Sequence, residues 1–255
     1  MTFTQQRGKP IRRSGRVLKS ELLETADPVL ADRNLRDIAR INSWFGGHRV
    51  LLRVLKELVL RQKQFSLLDV GAGSGDMGKC IRQHFQNAMV VSVDRHTFHL
   101  RRAPGPRLAA DAFQLPFLPK SFDFVLCSSF LHHFSDCEVI ELIAELRRFA
   151  RHSLIVLDLE RHPLAYHFLP ITRRLFGWSA LTVHDGPVSV AAGFRPEELA
   201  HLACVAVANP VAVQRHWPWF RLSVVVPAHA SGEAARNLDL VNIDSQAPLL
   251  ESAAV

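Results

Sequence analysis

No run of apolar residues in this 255-residue chain approaches the roughly 18 needed to cross a bilayer. The N-terminus also lacks the apolar core of a secretory signal. These absences weigh against a membrane-spanning or exported protein and lead to the expectation of a cytoplasmic one. Cysteine is scarce: Cys80, Cys127, Cys137 and Cys204 show no C-x-x-C spacing, so neither a disulfide framework nor a thiolate metal site is expected. Acid is missing from residues 1–20, which hold Arg7, Lys9, Arg12, Arg13, Arg16 and Lys19. The formal charge of +7 is therefore concentrated in that stretch, and the rest of the chain is near neutral. Residues 1–25 read as a basic, disordered leader rather than a nucleic-acid arm, and 229–255, rich in Ala, Ser and Asn, as a disordered tail.

What is present centres on residues 66–76, Ser-Leu-Leu-Asp-Val-Gly-Ala-Gly-Ser-Gly-Asp. An apolar strand carrying Asp69 breaks into Gly71, Gly73 and Gly75, and a helical pattern follows. Strand, glycine turn and helix present backbone to a nucleotide at the carboxyl edge of an α/β sheet. A dinucleotide site would follow G-x-G-x-x-G; here the third glycine comes one residue early and Asp76 stands in its place. Carboxylates at Asp69 and Asp76 suit a ligand with a cationic part better than a pyrophosphate. This acidic-x-G-x-G-x-G run resembles the first motif of the class I S-adenosylmethionine-dependent methyltransferases. The resemblance implies that Asp69, Gly71, Ala72, Gly73 and Gly75 meet S-adenosyl-L-methionine.

Residues 88–94 read as a second buried strand ending in Asp94, 19 residues beyond Gly75. A carboxylate there can accept from both hydroxyls of a ribose. A third strand near 107–112 leads into Asp111-Ala112-Phe113-Gln114-Leu115-Pro116-Phe117 and Ser121-Phe122-Asp123-Phe124-Val125. That run resembles the small-molecule branch of the family, which implies that Asp111 and Ala112 border the adenine. A fourth strand, about 122–127, empties into Ser128-Ser129-Phe130-Leu131-His132-His133, at the edge where ligands bind in this architecture. Ser128 is the further cofactor candidate. Neighbouring histidines rarely direct both rings to one ion, so no metal is expected; one ring under the loop and the other facing the cavity is the expected arrangement.

The expected architecture is α/β and Rossmann-like: a mostly parallel seven-stranded sheet with helices on both faces. Residues 26–228 make up the methyltransferase domain, with N-terminal helices over 28–63 and a lid insertion over 160–192 after strand five. Asn42, Trp44 and His48 are placed to border the site. The last two strands are expected near 205–214 and 220–226. Asp158-Leu159-Glu160-Arg161, His184-Asp185-Gly186-Pro187 and Phe194-Arg195-Pro196 resemble a bacterial subgroup linked to polyketide, phenolic-lipid or quinone-type metabolism. The implied activity is methyl transfer to an oxygen or carbon of a small apolar acceptor, and His184, in a lid turn, and His133 are the candidate bases. A C-methyltransferase of quinone-type biosynthesis, or a non-catalytic protein binding the same cofactor, fits the same motifs. The proline pair and aromatic-basic platform of a nucleic-acid base methylase are missing after strand four, as are the acids of a metal-dependent catechol methylase.

Overall fold

A computed structural model describes residues 15–59 and 64–228. Seven strands lie in the order β3-β2-β1-β4-β5-β7-β6. They are β1 (Phe65–Val70), β2 (Ala88–Asp94), β3 (Arg107–Ala109), β4 (Phe122–Ser128), β5 (Ala150–Leu159), β6 (Val213–His216) and β7 (Arg221–Pro227). The first five run parallel, while β7 enters antiparallel between β5 and β6. The helices are α1 (Pro28–Trp44), α2 (Gly47–Val59), α3 (Asp76–His84), α4 (Asp136–Phe149), α5 (Pro163–Phe176), α6 (Ala180–Ala192) and α7 (Pro196–Val207).

The two-residue period of a strand divides the core into two layers. Leu68, Val125, Leu154 and Val156 face Leu142, Leu146, Leu199 and Leu202 of α4 and α7. Their neighbours Leu67, Leu126, Ile155 and Leu157 face Val50, Leu51, Leu55, Met77 and Ile81 of α2 and α3. Both faces are covered, so the central strands carry no solvent face and read as continuous apolar runs. α4 starts at a capping box in which Glu138 Oε2 accepts from the Ser135 amide at 2.8 Å.

Three sequence expectations change. Residues 184–187 are not a turn: they lie in α6, which continues through Pro187. Ser179 caps its first turn and Asp37 Oδ2 accepts from the Ser179 amide at 2.8 Å, so tertiary bonds override the local turn preference of Asp-Gly-Pro. The strand expected from Val205 is shorter, because α7 runs to Val207 and packs Leu199, Leu202 and Ala203 inward; only 213–216 pair in the sheet. The helix then ends at Ala208, with φ +54.

The third change concerns the leader. Residues 15–26 form a strap along the α6 side of the molecule rather than a free segment. Val17 N donates to Ala191 O at 3.1 Å. Arg16 donates to Ala192 O, to Asp136 Oδ1 and to the carbonyls of His132 and Phe134, and lies over the Phe194 ring at 4.1 Å. Sequence position alone made Arg16 part of a solvated basic run, but its charge has a carboxylate of its own. The remainder of the leader (1–14) and the tail from 229 lie outside the described residues.

The insertion leaves the sheet after β5 and returns where Phe194 bridges Glu160. In between, Thr182 Oγ1 donates to Asp37 Oδ2 at 2.9 Å and Asn34 Nδ2 to Thr182 Oγ1 at 3.1 Å, joining α6 to α1. Among the described residues no helix is long and apolar enough to cross a membrane.

Candidate active site

The carboxyl ends of β1, β2 and β4 open together because these strands are parallel neighbours. After β1 the chain turns on Gly71 (φ +72), Gly73 (φ +53) and Gly75 (φ +72). A Cβ on Gly75 would stand 2.6 Å from Ala103 Cα, and one on Gly71 would run into the Phe130 ring. The loop is pinned to β2: Ala72 N donates to Val93 O, and Gly73 N to Asp94 Oδ2, each at 2.9 Å. Asp94 Oδ1 accepts from His96 N at 2.9 Å. Burial raises the Asp94 pKa, but His99 and these amides outweigh it and hold the carboxyl below its usual range. Oδ1 also meets His99 Nδ1 at 3.2 Å, so it is Oδ2 that keeps a further lone pair for a ligand hydroxyl.

Asp69 lies beneath the loop, 1 % exposed, and its Oδ2 has no hydrogen-bond partner among the described residues. Burial, with Asp76 and Asp94 nearby, pushes its carboxyl up to about 8. Asp76, at the start of α3, accepts from Asn42 Nδ2 and meets His48 Nε2, both at 3.0 Å. Burial opposes a charge on His48, but Asp76 and Cys80 outweigh it and raise its pKa to about 9. Asn42 and His48 thus meet the acid that follows the glycine loop, whereas Trp44 packs its ring with those of Phe176 and Trp178. Asp111 is exposed and closes its own turn by accepting from Phe113 N at 3.0 Å; Ala112 beside it is buried. Ser128 ends β4 facing the same edge. An orphaned acidic oxygen on Asp69, a spare acceptor on Asp94 and a loop with no room for a Cβ at 71 or 75 fit a ligand bearing hydroxyls and a positive charge.

The two histidines after β4 divide as expected. His132 is 3 % exposed, with Nδ1 2.7 Å from Asp158 Oδ1 and Nε2 3.7 Å from Glu21 Oε1. Burial disfavours its charge, but the two carboxylates outweigh that and raise the pKa to about 9. His133 is exposed, its ring 4.3 Å from that of His132 and 6.3 Å from that of Phe130. Crowding by protein, followed by repulsion from His132, lowers its pKa to about 4. His184 lies on the outer side of α6 with Nδ1 2.8 Å from Asp185 Oδ1. The carboxylate of Asp185 also accepts from the amides of Leu22 and Leu23 at 3.0 Å, so this pair serves the strap.

Glu21, Asp158 and Arg221 were not singled out by sequence. Ligand atoms of Glu21, His132 and His133 lie within 4.8 Å of one another, although Glu21 is more than 100 residues away in sequence. Glu21 also accepts from Ser189 Oγ. Arg221, at the start of β7, donates to Ser129 Oγ at 3.0 Å and Asn42 Oδ1 at 3.1 Å. Asp158 had a signal, since it ends an apolar strand at the ligand edge as Asp94 does; the other two had none.

A glycine loop after β1, an acid ending β2 and the strand order with its antiparallel β7 together form the Rossmann-like fold seen in class I methyltransferases. Residues 68–156, about a third of the chain, match the family described as Methyltransferase domain. Among solved structures, a provisionally named O-methyltransferase from Nostoc punctiforme is 20% identical with a TM-score of 0.54, covering 74% of this chain and 58% of that one. The chain thus spans under two thirds of that protein. The plantazolicin methyltransferase BpumL, solved with SAH, is 14% identical with a TM-score of 0.56, covering 81% and 97%. Magnesium protoporphyrin IX methyltransferase from Synechocystis, also with SAH, is 16% identical with a TM-score of 0.50, covering 71% and 83%. These likenesses are of fold. No curated protein matches the sequence.

Proposed function

We propose that the protein moves a methyl group from S-adenosylmethionine to an oxygen, or an enolisable carbon, of a small apolar acceptor of phenolic or polyketide-like chemistry. The observation that carries this reading is a neutral, solvent-reaching His133 on the β4 loop, beside the Phe130 ring that covers Gly71. The bound cofactor supplies an electrophilic methyl on a sulfonium leaving group. The chain mainly has to align the acceptor, and positioning of this kind contributes about 7–11 kcal/mol in well-oriented reactions.

His133 is assigned as the base. With a pKa of about 4 it is unprotonated at neutral pH, so its free ring nitrogen accepts a hydrogen bond from the acceptor hydroxyl. A phenol (~10) is a weak acid against such a base. Its proton becomes far more acidic once the oxygen begins to bond to carbon, and His133 takes it at that stage. His132, whose two ring nitrogens face carboxylates, stays charged and keeps its neighbour neutral. Phe130 and Phe134, with centroids 4.9 Å apart, give this loop an apolar wall. The lid aromatics support the apolar reading less, because Phe168, Phe176 and Trp178 pack with Phe45 as the lid's own core.

The test is methyl-labelled S-adenosylmethionine incubated with the protein and a fractionated extract. Label in the organic-soluble pool, lost in Asp94→Ala, supports the assignment and yields a compound to identify. Label in RNA instead would overturn the small-molecule reading.

A further inference from the structure

Two buried guanidinium groups differ in one respect. The Arg16 side chain, 1 % exposed, meets Asp136 at 2.8 Å. Arg221 is 8 % exposed and has no carboxylate in ion-pair reach among the described residues; its recorded partners are the neutral oxygens of Ser129 and Asn42. A cation taken out of water needs a counter-charge in contact, and neutral acceptors compensate it only in part. Asp158 and Asp76 attract Arg221 from beyond contact; Asn42 and His48 both engage Oδ2 of Asp76.

Arg221 lines a narrow cleft with Gly47, Met77, Ser128, Ser129 and Leu157. Met77 follows the glycine loop by two residues and Ser128 ends β4, so the cleft opens on the cofactor edge. Ser129 reaches the guanidinium from a left-handed backbone (φ +49), which a residue with a Cβ adopts at a cost. Gly47 opens α2, so the positive end of a 13-residue helix borders the same space. The acids around the loop, Asp69, Asp76 and Asp94, suit hydroxyls and an amine; none serves an anion. The His48 cation is already opposed by Asp76. Among the described residues at this edge, Arg221 is the cation whose planar fork no acid fills.

We propose that Arg221 binds the carboxylate at the methionine end of the cofactor. The inference rests on the S-adenosylmethionine reading of the site and adds a residue to it. An amino-acid tail carries an amine and a carboxylate together; the acidic loop answers the first, and a guanidinium fork matches the second with two parallel N–H donors. The cofactor thereby completes the charge balance of the domain floor, and the free protein holds Arg221 in place through Ser129 and Asn42 until it does.

The test uses two ligands that differ by one carboxylate: S-adenosylhomocysteine and its decarboxylated analogue, S-adenosyl-3-thiopropylamine. Each is titrated calorimetrically into the full-length protein, Arg221→Gln and Arg221→Lys. The wild type should prefer the carboxylate-bearing ligand by about tenfold or more, as expected for a charge-assisted bidentate contact. Arg221→Gln should abolish that preference while holding the analogue within about twofold, and Arg221→Lys, which keeps the charge without the fork, should fall between. If the glutamine variant does not fold, the lysine variant carries the comparison, and a preference unchanged from wild type overturns the proposal. Equal weakening of both ligands would show a purely structural arginine and also overturn it. A wild type that binds neither ligand would remove the cofactor reading itself, a failure distinct from loss of the Arg221 assignment.

Discussion

His132 Nδ1 lies 2.7 Å from Asp158 Oδ1 at a point where both side chains are almost wholly buried. The bond joins the loop after β4 to the end of β5, and it sets the charge on which the neighbouring His133 depends. Removing one partner would leave the other as an unpaired buried charge, which typically costs about 3–5 kcal/mol. His132→Gln should show that loss in urea unfolding at pH 7.

The same pair gives stability a pH dependence of definite sign. His132 is raised from 6.5 to about 9 on folding, so its contribution is complete below about 6.5 and disappears as pH rises through about 9. Asp158 is shifted the opposite way: burial works against it, but His132 outweighs that, so its contribution is present above the usual carboxylate range and is lost as pH falls through the depressed value. Wild-type stability should therefore drop between pH 7 and pH 10, with a shallower slope in His132→Gln. Parallel slopes for the two proteins would show that the pair does not govern this window.

His133 should be separable from the fold. His133→Ala is expected to lower turnover by about 10²–10⁴, the usual range for a positioned acid or base, while S-adenosylhomocysteine binds as before. Since His133 is neutral above about 4, the acid limb of the wild-type rate should lie near that pH rather than near 6.5. Turnover that survives His133→Ala but fails in His184→Ala would transfer the base to α6.

The parts of this molecule legible in sequence are those encoded locally. Glycines 71, 73 and 75 sit where backbone angles demand them, Asp94 closes a run of apolar residues, and the alternation of Leu67 with Leu68 already contains both core layers. His132 and His133 could be divided into an inner and an outer ring because adjacent side chains diverge. What stayed hidden depends on contacts between distant segments. Glu21 acquires meaning only when the strap brings it to His132 and Ser189, and Arg16 reads as one more solvated charge until Asp136 is beside it. Gly186 and Pro187 suggest a turn by composition, while the bonds of Asp37, from another helix, to Ser179 and Thr182 fix the start of the helix that runs through them.

The glycine loop gives a graded test of backbone against packing. Gly73 and Gly75 both have positive φ, so a Cβ strains either, by roughly 1–2 kcal/mol. They differ in their surroundings: a Cβ at 73 would meet Leu35 Cδ2 at 3.5 Å, an ordinary contact, whereas one at 75 would meet the Ala103 backbone at 2.6 Å. Gly75→Ala should therefore melt at a lower temperature than Gly73→Ala. The reverse order in a calorimetric scan would mean that the 99–104 segment yields more readily than its packing indicates.

The strap hangs on Asp185. Its two oxygens accept from the amides of Leu22 and Leu23, each at 3.0 Å, and its side chain is 4 % exposed. Asp185→Ala removes the acceptor of both part-buried amides, and a hydrogen bond of this kind is worth about 0.5–1.5 kcal/mol. The loss should be local first: amide exchange at Leu22 and Leu23 should speed up before that of β1 or β4. Glu21 is the next residue along, so its contact with His132 should loosen in the same variant, and the His132 pKa, followed by NMR, should fall from about 9 towards 6.5. His184→Ala removes only a half-exposed partner of the same carboxylate and should leave both the exchange pattern and the His132 titration as in wild type. A His132 pKa unmoved by Asp185→Ala would show that Glu21 is held by Ser189 alone, and that the strap and the loop after β4 are energetically independent.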